Sequence, residues 1–232
     1  MQVVGWIAKQ VIRLIAKVIL RTDIEGMAHI PRAGPVLVVL NHISFVDPFL
    51  LYVTLPRPLI GLGKAELWDH LITRIIARAW GTIPLHRGEM DLNAMKSAVQ
   101  VLRDGGMLGI APEGTRSHHG RTQQARPGVA LVATKVPGAV LVPVAVYGQE
   151  RLLPNLKHMR RTSVNMVIGE PFCLRPIAER ITHEFRQAIS DEIMLRVAVL
   201  LPAAYQGVYA GRPVEDRYTT LCPGESRTGS DA

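Results

Sequence analysis

Val36-Leu37-Val38-Val39-Leu40 is an unbroken aliphatic run, opened by Pro35 and stopped by Asn41. A strand with water on one face alternates apolar and polar residues, whereas a continuous run demands apolar neighbours on both faces. Met107–Ile110 and Ala139–Tyr147 repeat the pattern, and Pro58–Gly63, Thr82–Leu85 and Ser163–Ile168 are weaker strands of the same kind. Between them lie stretches that read as helices: 45–54, Leu67–Trp80, Asp91–Arg103 closed by Gly105-Gly106, Val129–Lys135, and Glu179–Leu201 ended by Pro202. This alternation predicts an α/β fold, with a largely parallel central sheet flanked by helices.

The first 21 residues follow another rule. Lys9, Arg13, Lys17 and Arg21 recur every fourth residue and form a basic stripe on a helix over 2–21. Val4, Ile7, Val11, Ile15, Val18 and Ile19 fall opposite. Such a helix suits the surface of an anionic bilayer. The competing expectation is a helix packed on its own domain with its basic face in water. Leu67–Trp80 is similar in style, with Trp68, Ile72, Ile75 and Ala79 on one side and His70, Arg74 and Arg78 on the other. Core packing is the favoured fate of that second stripe. The division expected is an N-terminal amphipathic membrane-docking helix over 1–22, one domain over 23–210, and a flexible tail over 211–232, which is rich in Gly, Ser and Thr.

A net charge of +8 points to anionic partners, with nucleic acid, acidic lipid and phosphorylated metabolites all of the right sign. No apolar run reaches the roughly 18 residues of a spanning helix. The regular cations also break any secretory signal, so the chain is expected to remain in the cytoplasm. Cys173 and Cys222 lie in neither a metal-ligand nor a redox spacing, which argues against a disulfide framework. His118-His119 has no second ligand cluster at a convincing spacing, so no metal is expected.

Two segments sit where an α/β fold places its chemistry, directly after buried strands. In Asn41-His42-Ile43-Ser44-Phe45-Val46-Asp47-Pro48, His42 can take a proton from a hydroxyl and return it to a leaving group. Asp47, one turn into the next helix, can hold the far ring nitrogen. The same residues allow a structural alternative, because Ser44-x-x-Asp47 resembles a capping box. In Ala111-Pro112-Glu113-Gly114-Thr115-Arg116-Ser117, Gly114 permits close backbone approach, and Arg116 with Thr115 offers donors to phosphate. Glu113 can orient the arginine or accept from a substrate hydroxyl, and an ordinary turn with a Glu–Arg pair is the plain alternative. Lys64 and Arg87 emerge from two further strands as candidate phosphate-binding cations.

Taken in order, these segments resemble the glycerolipid acyltransferase family, best known for the 1-acylglycerol-3-phosphate acyltransferases. The resemblance begins near Ile24-Glu25-Gly26 and runs through Asn41-His42-x-Ser44-x-x-Asp47-Pro48 and Lys64-x-Glu66-Leu67. It continues through Gly81-x-Ile83-Pro84-x-x-Arg87 and Pro112-Glu113-Gly114-Thr115-Arg116-Ser117, then Arg126-x-Gly128 and Val142-Pro143-Val144, and ends near Ile168-Gly169-Glu170-Pro171. Ala111 and His86 depart from the usual family residues.

The resemblance implies transfer of an acyl group from a coenzyme A or acyl carrier protein thioester to the 2-hydroxyl of lysophosphatidate. His42 would be the base and Asp47 its orienting carboxylate. Arg87, Glu113, Gly114, Thr115, Arg116 and Lys64 would bind substrate, with no cofactor and no metal. The implied place is the cytoplasmic face of the cell membrane. Other lysophospholipids, amino-acid lipids and glycolipids are alternative acceptors. A basic module that binds membrane without catalysis is the contrasting class, and it leaves the His–Asp pair without a purpose.

Overall fold

The computed structural model describes residues 2–86, 91–177 and 181–222, with side chains from residue 9 onward. In chain order the elements are α1 (Gln2–Ile19), β1 (Leu20–Glu25), β2 (Val36–Leu40), α2 (Asp47–Thr54), β3 (Leu59–Lys64), α3 (Leu71–Ala79), β4 (Ile83–Leu85) and α4 (Leu92–Arg103). There follow β5 (Met107–Ile110), α5 (Gly128–Thr134), β6 (Val140–Tyr147), α6 (Leu152–Lys157), β7 (Thr162–Ile168), β8 (Phe172–Leu174), α7 (His183–Ala198) and β9 (Thr219–Leu221).

The strands form one sheet in the order β1-β7-β6-β2-β5-β3-β4, with β8 paired to β6 and β9 to β8. Pairing is parallel from β6 across β2, β5 and β3 to β4, and again between β1 and β7. β6 meets β7 and β8 antiparallel, as β8 meets β9. The α/β class with a largely parallel sheet is therefore observed.

The aliphatic runs are continuous because the sheet is covered twice. From β2, Leu37 and Val39 enter a core with residues of α4, α5 and α7. Val36, Val38 and Leu40 enter a second core with Leu50 and Leu51 of α2. Buried on both faces, β2 needs no polar residue until its end, where Asn41 ties it to β6 by accepting from Val146 N and donating to Val146 O, both at 2.8 Å.

Four expectations require correction, the last being that Cys173 and Cys222 stay unpaired. The N-terminal helix stops at Ile19, and Arg21 lies on β1 rather than on the basic stripe. In α3, Ile72 and Ile75 are exposed instead of packed into the core. The chain from 211 to 222 is no loose tail: β9 pairs with β8, and Cys222 forms a disulfide with Cys173 across a separation of 49 residues. Glu192, buried on α7, holds this segment by accepting from the backbone N–H groups of Tyr218 and Thr219 and from the Thr219 hydroxyl.

Candidate active site

β2 delivers Asn41 and His42 at its carboxyl end, and a tight turn carries the chain into α2, whose first residue is Asp47. His42 Nδ1 lies 2.8 Å from Asp47 Oδ2. That oxygen also accepts from the backbone N–H groups of Ile43 and Ser44, both at 2.9 Å. Asp47 thus ties the turn that leads into α2 and orients the imidazole, but the expected capping box is not formed, because Val46 is the N-cap of α2 and no side chain caps it. A carboxylate has only acceptors to offer, so Nδ1 carries the ring hydrogen and Nε2 keeps a lone pair. Asp47 is fully buried, while the His42 side chain is 20% exposed. The dyad therefore has an anchored end and an accessible end.

The loop after β5 grips the same histidine by its backbone. Glu113 Oε1 accepts from His42 N at 3.0 Å, and Ser117 N donates to His42 O at 2.8 Å. Glu113 Oε2 accepts from the Gln123 backbone at 3.0 Å. Burial drives the Glu113 carboxyl up to about 7, against the pull of these hydrogen bonds. Gly114 turns with φ of +69°, and a Cβ there would come within 2.7 Å of Arg126 Cδ, so glycine is needed to let the Arg126 side chain cross the turn.

A cavity of about 380 Å³ opens beside the dyad. Its walls are mostly apolar: Leu40, Leu51, Leu59, Leu62, Met95 and Ile110 line it. Among the described residues, His42, His86, Asp91 and Arg126 are its ionisable lining groups. Asp91 caps α4 through the backbone of Asn93 and Ala94 and also takes His86 Nδ1 at 3.0 Å. Those hydrogen bonds hold its carboxyl well below the usual range, the Ala94 backbone donor foremost.

Several of the residues expected to bind substrate do not line this cavity. Glu113 is 2% exposed, with both oxygens engaged by backbone, and is not in the cavity wall. Lys64 pairs with Glu66 at 2.9 Å on the surface, and neither Lys64, Thr115 nor Arg116 lines the cavity. Gly114 does line it. Arg87 lies outside the described residues. In exchange, the structure brings forward Arg126, whose motif Arg126-x-Gly128 carried the only hint in the sequence, and Gln149, which no local pattern announces.

The sequence model of the acyltransferase family matches residues 21–147. A 1-acyl-sn-glycerol-3-phosphate acyltransferase from Borreliella burgdorferi is 31% identical over 180 residues, covering 76% of this chain and 72% of that protein. A chloroplastic enzyme of the same name from Arabidopsis thaliana is 26% identical over 75% of this chain, which spans only 50% of its length. The crystal structure of a 1-acyl-sn-glycerophosphate acyltransferase from Thermotoga maritima superposes with a TM-score of 0.61 at 22% identity, over 86% of this chain and 82% of that one. That likeness carries the fold.

Proposed function

Given that the chain belongs to the acyltransferase family, we propose that it moves a fatty acyl group from an acyl thioester to the 2-hydroxyl of 1-acylglycerol-3-phosphate, making phosphatidate. One observation carries this reading: a His42–Asp47 pair at 2.8 Å stands on the rim of an apolar cavity that also presents Arg126.

In the proposed reaction the acceptor hydroxyl gives its proton to His42 Nε2 as its oxygen attacks the thioester carbonyl. The C–S bond breaks, and the imidazolium returns the proton to the departing thiolate. Asp47 stabilises the imidazolium while it exists and prevents the ring from turning. The apolar wall suits an acyl chain. Arg126, and His86 held by Asp91, are the cavity groups suited to the phosphate of the acceptor. The donor is carried on coenzyme A or on acyl carrier protein, and the same base would serve another lysophospholipid if the phosphate contacts were replaced.

Delivery of lipid is supported by the N-terminal helix. Lys9 lies over the Tyr52 ring, with Nζ 5.3 Å from its centroid, and Arg13 donates to Val53 O at 2.8 Å. Part of the basic stripe is thus turned onto α2, and Leu14 and Val18 stand 65% and 63% exposed. Ile72 and Ile75 of α3 add to the exposed apolar surface. Among the described residues no helix is long and apolar enough to cross a membrane. This arrangement suits a helix lying on the cytoplasmic face with its aliphatic side in the acyl boundary and Lys17 among headgroups.

The test is phosphatidate formation from lysophosphatidate and a labelled acyl thioester. His42→Ala should lower kcat by about a thousand-fold or more, with folding and vesicle binding retained. Undiminished turnover in that variant would remove His42 from the chemistry. Turnover of another lipid with lysophosphatidate ignored would reassign the acceptor.

A further inference from the structure

Gln149 lies 102 positions after Asp47 in sequence, yet its Nε2 is 2.8 Å from Asp47 Oδ1. Both residues are buried, with 1% of Gln149 and none of Asp47 exposed. The fold takes trouble to put the amide there. β6 ends at Tyr147, and Gly148 turns the chain at φ of +96°, so close to β7 that a Cβ would sit 2.5 Å from Ser163 O. That turn directs Gln149 beneath the start of α2.

The orientation of the amide is decided by what surrounds it. Its nitrogen faces Asp47 Oδ1 and also Val146 O at 3.3 Å, two groups that can only accept. A flipped amide would set oxygen against both. The carboxylate is then completely partitioned: Oδ2 serves His42, Ile43 and Ser44, and Oδ1 is served by Gln149.

We propose that Gln149 is a positioning residue for the dyad, holding the Asp47 carboxylate in the plane that presents Oδ2 to His42. The inference rests on the base role of His42 given above. A neutral donor suits the task, because it satisfies a buried anion without cancelling the charge that the imidazolium needs. The titratable groups around it are Asp47 on α2, His42 beyond it, Glu113 on the His42 amide, and Glu150, which accepts from Gly148 N and the Tyr205 hydroxyl.

Gln149→Met keeps the volume and removes the donor. The expected result is a fall in kcat of roughly 10- to 100-fold per folded molecule, with KM for both substrates within about twofold. In an Asp47→Asn background the same change should cost about twofold or less, since the ionised carboxylate is already gone. A folded Gln149→Met enzyme with wild-type kcat overturns the proposal, as does an equal loss in both backgrounds. Gln149→Glu decides the matter if the methionine variant fails to fold. Its carboxyl donates only while protonated, so its activity relative to wild type should decline as pH rises from 6 to 8, and a constant ratio overturns the proposal. His42→Ala run in parallel separates the two claims. Persistent turnover there defeats the base role, whereas an inactive His42→Ala beside a fully active Gln149→Met defeats only the role of Gln149.

Discussion

The Asp47 carboxylate ties the turn into α2 and orients an imidazole with the same oxygen, and the two duties separate on substitution. Asp47→Asn keeps one carbonyl-type oxygen able to accept from Ile43 and Ser44, but it removes the charge. kcat should fall by about a thousand-fold or more, and the melting temperature should drop by only a few degrees, the cost of setting the new amide nitrogen against Gln149 Nε2. Equal activity per folded molecule would reduce Asp47 to a turn residue. Glu113 makes a separate prediction through pH. Its carboxyl sits near 7 in the folded chain against an ordinary 4.5, so the folded state binds the proton more tightly. The resulting stabilisation is complete below pH 4.5 and is lost as pH rises through 7, an effect of about 3 kcal/mol for this group. Wild-type unfolding free energy should therefore decline across that window more steeply than that of Glu113→Gln, and parallel curves would contradict the assignment. His42 and Asp47 were legible in sequence because five positions span a single turn. Glu113 stood out in the sequence as a candidate substrate contact, but its observed place under the His42 loop did not show, since its partners are backbone amides, which no residue type reveals. Gln149 was hidden because only the parallel pairing of β2 with β6 brings it near.

Elements buried on both faces, β2, β5 and β6, were readable from composition because burial leaves no room for polar residues. β1 was not: Arg21, Asp23 and Glu25 interrupt it, and it lies at the edge of the sheet, where charged side chains are tolerated. Its first residues therefore passed for the end of the preceding helix. β8 and β9, three residues each, are too short to show a period. The amphipathic character of α1 was plain, but periodicity cannot say which face meets the protein. Lys9 and Arg13 answer that by contacting Tyr52 and Val53 of α2. Leu14→Glu with Val18→Glu alters exposed positions and should leave the melting temperature within about 2 °C, because surface changes of this kind cost little. Co-sedimentation with anionic vesicles should drop by roughly tenfold. Unchanged vesicle binding would move the lipid contact off this helix, and a collapse in stability would show that those side chains are packed.

At the scale of the whole molecule, the C-terminal segment is an integral closing piece rather than an appendage. β9 extends the sheet beyond β8, Glu192 gathers its amides, and the Cys173–Cys222 bridge fixes the end of the described chain to the strand it covers. Two cysteines 49 positions apart carry no spacing signature, which is why the pairing was invisible until the strands were registered. Closing a loop of that length removes entropy from the unfolded chain worth about 4 kcal/mol. For a domain of this size, Cys173→Ser with Cys222→Ser should then lower the melting temperature by roughly 10 °C, and a thiol reductant should do the same to the wild type. Neither cysteine lines the cavity beside His42, so acyl transfer per folded molecule should be unaffected below the new transition. The comparison matters for where the enzyme works, because a cytosolic thiol pool tends to keep such a pair reduced. If oxidised and reduced protein melt together, the bridge contributes nothing to the fold and the strands hold the segment alone. If reduction abolishes turnover in protein that remains folded, the closing piece reaches the active site through the sheet.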